Sequence, residues 1–327
     1  ENLTYFFSYQ VNWMYFRYFL WNFSGRQNDI QGHGDQMRGN WISGFSYIDN
    51  ARLGNQDEAA PYYTSQNPSN NKFFFLPLIL GIIGLIFHYY RAPKDAFIVS
   101  LVFLFTGLAI VIYLNQKPFE PRERDYAYAG SFYFFAIWIG LGVLALYEAF
   151  QNFGKEEWKK IGIVGAAGLL VAIFLDMYAD TSYPNVMSWI TMLVIGGGAL
   201  GLMYGLRKVI GTDKQGAIVA GVIGLFVPLV MGIQGWDDHD RSERTFAHDL
   251  STNYLESCGP NGILFTNGDN DTFPLWYMQE VEGVRTDVRV ANLSLMQTDW
   301  YTDQMKMKAY ESEPLPIKFR EDQILNY

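Results

Sequence analysis

Six apolar runs, at about residues 73–90, 96–114, 131–147, 161–178, 186–205 and 217–235, constrain this 327-residue chain more than any other feature. Each is close to the roughly 20 residues that carry a helix across roughly 30 Å of hydrocarbon at 1.5 Å per residue, and none contains Lys or Arg. Six buried helices joined by short charged links would be extraordinary in a soluble core, so the runs read as membrane spans. Half of the residues are hydrophobic and 17% are aromatic, a load that suits a membrane interface.

Orientation follows from the connections. Segments 91–95, 151–160 and 206–216 carry eight Lys or Arg, whereas 115–130 and 179–185 carry three. The first set faces the cytoplasm by the positive-inside rule. Residues 1–72, the 115–130 connection and everything after 235 then lie outside, which in a bacterium is the periplasm. The expected fold is an α-helical polytopic membrane protein of about six transmembrane helices followed by a small α/β extracytoplasmic domain. Its divisions are an interfacial helix and external loop over 1–72, a six-helix region over 73–235 and a periplasmic α/β domain over 236–327. Glycines 81, 84, 196–198, 201 and 205 allow close helix approach and predict a single bundle.

Residues 1–27 are aromatic but interrupted by Gln10, Asn12 and Arg17. Phe6, Tyr9, Trp13, Phe16 and Leu20 recur at helical spacing and predict an interfacial helix or the end of an upstream span. Residues 28–72 read as a long external loop, either functional or disordered. No charged n-region or cleavage pattern opens the chain, which reads as a piece of a longer protein. The net charge of −9 sits in one region: residues 236–327 carry 17 acids against 8 Lys or Arg, while the rest is balanced. No basic stripe is present for a nucleic-acid partner. The single cysteine, Cys258, leaves no intrachain disulfide framework.

Past the last run, Ser242–Ser257 predicts a helix, Ile263–Thr266 a strand, Asn267–Thr272 a turn with Asp271 or Thr272 as cap, Phe273–Val281 a helix and Asp287–Leu293 a second strand. This order is a βαβ unit, whose ligands bind at the carboxyl ends of the strands. That places Asp269 and Asp271 among candidate substrate-binding residues, although a simple helix cap accounts for the turn as well. Asp237, Asp238 and His239 form a weak candidate for a divalent cation, with a solvated linker as the plainer account. No metal or other cofactor is required by any spacing in the chain.

The chemistry-bearing stretch is Lys117-Pro-Phe-Glu-Pro-Arg-Glu-Arg-Asp-Tyr-Ala-Tyr-Ala-Gly130. Pro121 suits the first helical position, so the third span is expected to begin near 121 and run to about 150, overshooting the hydrocarbon. Arg122 and Arg124 would then lie at headgroup depth, where the planar guanidinium fork matches phosphate oxygens. Tyr126 and Tyr128 could stack on a sugar or lie along a polyprenyl chain. Glu123 and Asp125 are weak candidates for a catalytic base. The competing account is a self-neutralised helix start, with Arg122 beside Asp125 and Tyr126 and Glu120 near Arg124.

These residues, together with Ile263–Tyr277 and Arg285–Leu295, resemble a family of large polytopic inner-membrane proteins of the Bacteroidota related to a vertebrate protein O-mannosyltransferase. The matching motifs span roughly residues 115–300. The resemblance implies a GT-C type glycosyltransferase in the bacterial inner membrane. Such an enzyme moves a sugar from a polyprenyl-phosphate donor to a protein acceptor on the outer face. It also implies that the acid activating the acceptor lies in a first external loop upstream of Glu1. A non-catalytic inner-membrane subunit or scaffold of an envelope assembly is the alternative reading. A transporter is weaker, since Asp176 is the one acid in a span and sits near its end.

Overall fold

The computed structural model describes residues 2–120, 123–179, 181–210 and 212–318. It divides into two compact units, Glu1–His239 and Asp240–Tyr327. Arg122 lies outside the described residues.

In the first unit, a short α1 (Asn2–Thr4) runs into a π-helical stretch over Tyr5–Phe16 and then α2 (Arg17–Phe23). The buried face of this helix carries Gln10, Met14, Tyr15, Tyr18 and Phe19, whereas Phe16 is exposed. The helix exists as expected, but the wider π turn and Arg17 rotate its inward face away from the Phe16 stripe. Residues 28–72 hold short helices and turns. Strands β1 (Gly25–Arg26) and β2 (Asn71–Lys72) pair antiparallel across them, and α3 (Ser46–Leu53) is locked by Asp49, which accepts from Ser43 N, Ser43 Oγ and Gly44 N. Burial raises the Asp49 pKa above the usual carboxylate value despite these donors.

The bundle follows: α4 (Leu76–Arg91), α5 (Pro93–Phe105), α6 (Leu108–Leu114), α7 (Ala129–Asn152), α8 (Lys155–Ala179), α9 (Pro184–Leu206) and α10 (Asp213–His239). Among the described residues five helical segments are long and apolar enough to cross a membrane. They are Pro93–Leu114, Asp125–Asn152, Lys155–Ala179, Pro184–Leu206 and Asp213–His239. The remaining apolar run of the six gives a shorter apolar helix, Leu76–Arg91. The first apolar run yields a helix of 16 residues, about 24 Å, because Asn71–Lys72 are paired in a sheet and Phe74 and Phe75 adopt left-handed backbone (φ 54° and 58°). Helix can begin only at Leu76.

α4 and α7 form the centre of the bundle. A Cβ on Gly84 would fall 1.8 Å from the Trp138 carbonyl oxygen, and one on Gly142 would fall 2.2 Å from the Leu80 carbonyl. The two backbones touch, which lipid-embedded helices achieve through small residues. Around them pack Phe19, Phe23, Phe75, Ile79, Phe135 and Trp138. The Asp176 carboxylate, buried at the end of α8, accepts from Thr181 Oγ1, Asn185 N, Asn185 Nδ2 and Val186 N, and so satisfies the free amides that open α9.

The second unit contains α11 (Phe246–Glu256), β3 (Ile263–Thr266), α12 (Asp269–Glu280), β4 (Arg289–Asn292) and α13 (Asp299–Met305). β3 and β4 are parallel, with Ile263 opposite Arg289 and Thr266 opposite Asn292, so the strand, helix, strand order gives the βαβ crossover. Leu255, Leu275, Met278, Val288 and Val290 make one core, and Ala291, Tyr301, Met305 and Leu315 a second. The Arg285 guanidinium donates to the carbonyls of Leu255, Cys258 and Gly259 and pairs with Asp287, closing the end of α11.

Candidate functional site

The sequence expectation of a helix from residue 121 does not hold for the described residues. Glu123 and Arg124 are non-helical, a 3-10 turn covers Asp125–Tyr128, and α7 starts at Ala129. The physical reason is a partner 106 residues away. Arg17 Nη2 donates to Glu123 Oε2 at 2.5 Å, the Tyr18 hydroxyl donates to the same oxygen, and Trp13 Nε1 donates to Glu123 Oε1 at 3.1 Å. Three donors on one carboxylate outweigh the few tenths of a kcal/mol that a local helical pair offers.

This anchor is buried. The Arg17 and Glu123 side chains are 3% and 9% exposed. The guanidinium also donates to the carbonyls of Trp13 and Gly39, and it lies 4.0 Å from the Trp13 ring centre and 4.2 Å from that of Tyr18. Burial, foremost, pushes the Tyr9 hydroxyl up to about 12 and raises Tyr18 further, with the Glu123 charge adding to both. Both phenols therefore stay protonated near neutral pH and act as donors. Residues 115–117 are laced to the same helix. Tyr5 donates to the Gln116 carbonyl, Tyr9 to the Lys117 carbonyl and Gln10 Nε2 to Asn115 Oδ1.

What the anchored loop presents outward is Arg124, Asp125 and Tyr126, all exposed. The Arg124 amide donates to Gln116 Oε1, while its guanidinium makes no hydrogen bond or ion pair among the described residues. Tyr128 is fully buried against the Tyr15 and Tyr18 rings, so of the two tyrosines it is Tyr126 that a ligand can reach. Glu123 is occupied by its three donors. Asp125 is open to solvent.

Asp237, Asp238 and His239 are not a linker but the last residues of α10. Asp238 pairs with Arg26 and accepts from Ser69 Oγ and Asn71 Nδ2, tying the helix end to the β1–β2 ribbon. His239 Nδ1 is bonded to the Gly235 carbonyl oxygen at 2.7 Å. Among the described residues no three His, Cys, Asp or Glu side chains come together as a metal-binding group.

In the second unit Asp271 accepts from the amides of Asn267 and Gly268, both at 2.8 Å, and these bonds hold its carboxyl below the usual range. It is the third residue of α12 and satisfies the amides before the helix, a capping role. Thr272 bridges the Thr266 hydroxyl and Asn292 Nδ2 across the strand ends. Asp269 is exposed in the first turn. Sequence reasoning missed Arg17, Tyr18 and Trp13. The available signal was a lone arginine on an otherwise aromatic helix face.

A family model described as TMEM260-associated domain 2 matches residues 247–326, nearly the whole of the second unit. No curated protein and no solved structure matches the chain.

Proposed function

We propose that this chain is part of a membrane glycosyltransferase that takes a sugar from a polyprenyl-phosphate donor and passes it to a protein on the periplasmic face of a bacterial inner membrane. The family match carries the reading, because TMEM260 is linked to O-mannosyltransferase-related proteins. The pinned loop gives it a physical basis. Glu123 ties its loop to the opening helix, and the exposed Arg124 guanidinium, without a side-chain partner among the described residues, is available to a lipid phosphate.

In this mechanism Arg124, together with Arg122, holds the phosphate and stabilises the charge that grows on it as the glycosidic bond breaks. Tyr126 offers a ring face to the sugar. Glu123 is a positioning residue in this reading. Asp269 and Asp271, at the strand ends of the second unit, lie where a βαβ unit takes a ligand, here the acceptor. The test is transfer by the full-length protein in nanodiscs from a polyprenyl-phosphate sugar to an acceptor peptide. Arg124→Ala and Arg122→Ala are each expected to lower transfer by about 30- to 150-fold while the protein stays folded, since each removes a charged contact worth about 2–3 kcal/mol. Unchanged transfer in both would refute the assignment.

One observation favours a second reading, a non-catalytic docking subunit. Ile263 and Phe265 project from the same face of β3 and are 44% and 56% exposed, although parallel strands are normally covered on both faces. Stoichiometric co-purification of the full-length protein with a partner, without transfer activity, would support this reading over the first.

A further inference from the structure

A cavity of about 450 Å³ opens between α4, α7, α8 and α9, and it goes unused in the proposed transfer reaction. It begins at Ile79 and extends to Arg91, about 18 Å along α4. Its walls are apolar, including Ile83, Phe87, Ile161, Met192 and Leu200. The groove exists because α8 is drawn onto α9. The Trp189 ring occupies the space beside Gly168, and Trp189 Nε1 donates to the Gly165 carbonyl at 2.9 Å. Gly197 lines the groove on α9, and a Cβ placed there would have no heavy atom within 4 Å.

The groove ends in a polar lip. Arg91 forks onto Glu148 through its Nε and Nη2, and Glu157 accepts the Gly154 amide at the start of α8. Lys160 Nζ lies 4.3 Å from the centre of the Tyr90 ring and has no carboxylate partner among the described residues. The lip therefore carries two cations and two carboxylates, at the end of the bundle opposite the Arg124 loop. At about 450 Å³, drawn out along about 18 Å of α4, the groove has the elongated form of one alkyl chain.

We propose that this groove holds one acyl chain of a zwitterionic aminophospholipid taken from the surrounding leaflet. Its phosphate lies on Lys160, and its ammonium group faces Glu148 and Glu157. A purely anionic headgroup would meet the two carboxylates with no charge to offer them. The chain also fills the space beside α4, whose 16 residues fall short of the hydrocarbon thickness. The site is independent of the transfer reaction.

The test is native mass spectrometry of the purified full-length protein, first as isolated and then delipidated and incubated with phosphatidylethanolamine or phosphatidylglycerol. One bound phosphatidylethanolamine per chain is expected. Gly197→Leu should lower its occupancy about tenfold or more, because each displaced methylene weakens binding about fourfold. Gly140→Leu, which adds the same side chain at an open position of α7 away from the groove, should retain the lipid. Lys160→Glu should abolish the preference for phosphatidylethanolamine and tests the lip if Gly197→Leu does not fold. Lipid-free wild-type protein, lipid retention by Gly197→Leu equal to wild type, preference for phosphatidylglycerol, or a polyprenyl phosphate in the groove would each overturn the proposal.

Discussion

Two arginine–glutamate pairs mark opposite ends of the membrane unit, and by contact geometry alone the wrong one looks stronger. Arg91 grips Glu148 in a two-point fork, but their side chains are 52% and 22% exposed. Arg17 reaches Glu123 through one guanidinium nitrogen, yet that pair is 3% and 9% exposed and shares its carboxylate with Tyr18 and Trp13. What separates the pairs is what happens when one partner is removed. Water and salt can replace either member of an exposed pair, whereas a buried charge left alone has nothing to replace its partner.

The largest effect is therefore expected at the buried end. Glu123→Ala strands the Arg17 guanidinium among aromatic rings and should cost about 3–5 kcal/mol, with early loss of protection of 115–128 in limited proteolysis. Glu123→Gln keeps an acceptor for Trp13 and Tyr18 and should cost less, on the order of 1–3 kcal/mol. Equal losses in the two variants, read from tryptophan-monitored unfolding in detergent, would show that the charge itself is unimportant and break the comparison. If Glu123 only positions the loop, Glu123→Gln should also preserve most transfer activity while Arg124→Ala does not.

Asp238 sharpens the same point at intermediate burial. It joins Arg26, Ser69 and Asn71, with side-chain exposures of 20% for Arg26 and 15% for Asp238. Asp238→Ala should cost on the order of 1–3 kcal/mol and loosen the β1–β2 ribbon, seen as faster hydrogen exchange over 24–27 and 69–73. An unchanged exchange pattern would mean the ribbon is held by its backbone pairing alone.

These contrasts also explain what the sequence could and could not reveal. Run length and period depend only on neighbours, so the long spans from residue 93 onward, the helix opening the chain and the βαβ order of 263–292 were all legible. The start of the first apolar helix was not legible at residues 73–75, because the same apolar letters that read as helix were recruited by the ribbon: Phe73 N donates to the Ser24 carbonyl. The site failed in a related way. Local spacing paired Glu120 with Arg124 and left Glu123 as a possible base, whereas its partner Arg17 lies 106 residues upstream and that of Asp238 lies 212 residues upstream. No short-range rule connects such positions. Arg124 and Tyr126 are exposed because a charged connection between two spans has few other places to go.

A smaller effect concerns the second unit and pH. The Arg285 fork, with the Asn261 amide, holds the Asp287 carboxyl well below its ordinary value of 3.8. A depressed carboxyl contributes stability that is fully present above pH 3.8 and is lost as pH falls through the folded-state value. Asp287→Asn should flatten the acid limb of the second unit's stability curve below about pH 4 and leave it unchanged at pH 7 relative to pH 5. A change confined to neutral pH would contradict that origin.

The smallest effect is the one that geometry alone would rank highest. Arg91→Ala removes a two-point fork, but the arginine is more than half exposed and Glu148 gains water when it leaves. In delipidated protein, unfolding of Arg91→Ala in detergent should match wild type, and any difference seen at 0.1 M salt should vanish at 1 M, where the screening length falls from about 10 Å to about 3 Å. The Glu123→Ala loss should persist at both salt concentrations, because ions do not enter the pocket formed by Trp13, Tyr18 and Trp21. If instead Arg91→Ala proved costly and insensitive to salt in delipidated protein, the two-point fork rather than burial would set the strength of the pair and the comparison would fail. With phosphatidylethanolamine restored, a headgroup seated over the lip should reduce that salt sensitivity, because it excludes water and ions from the pair.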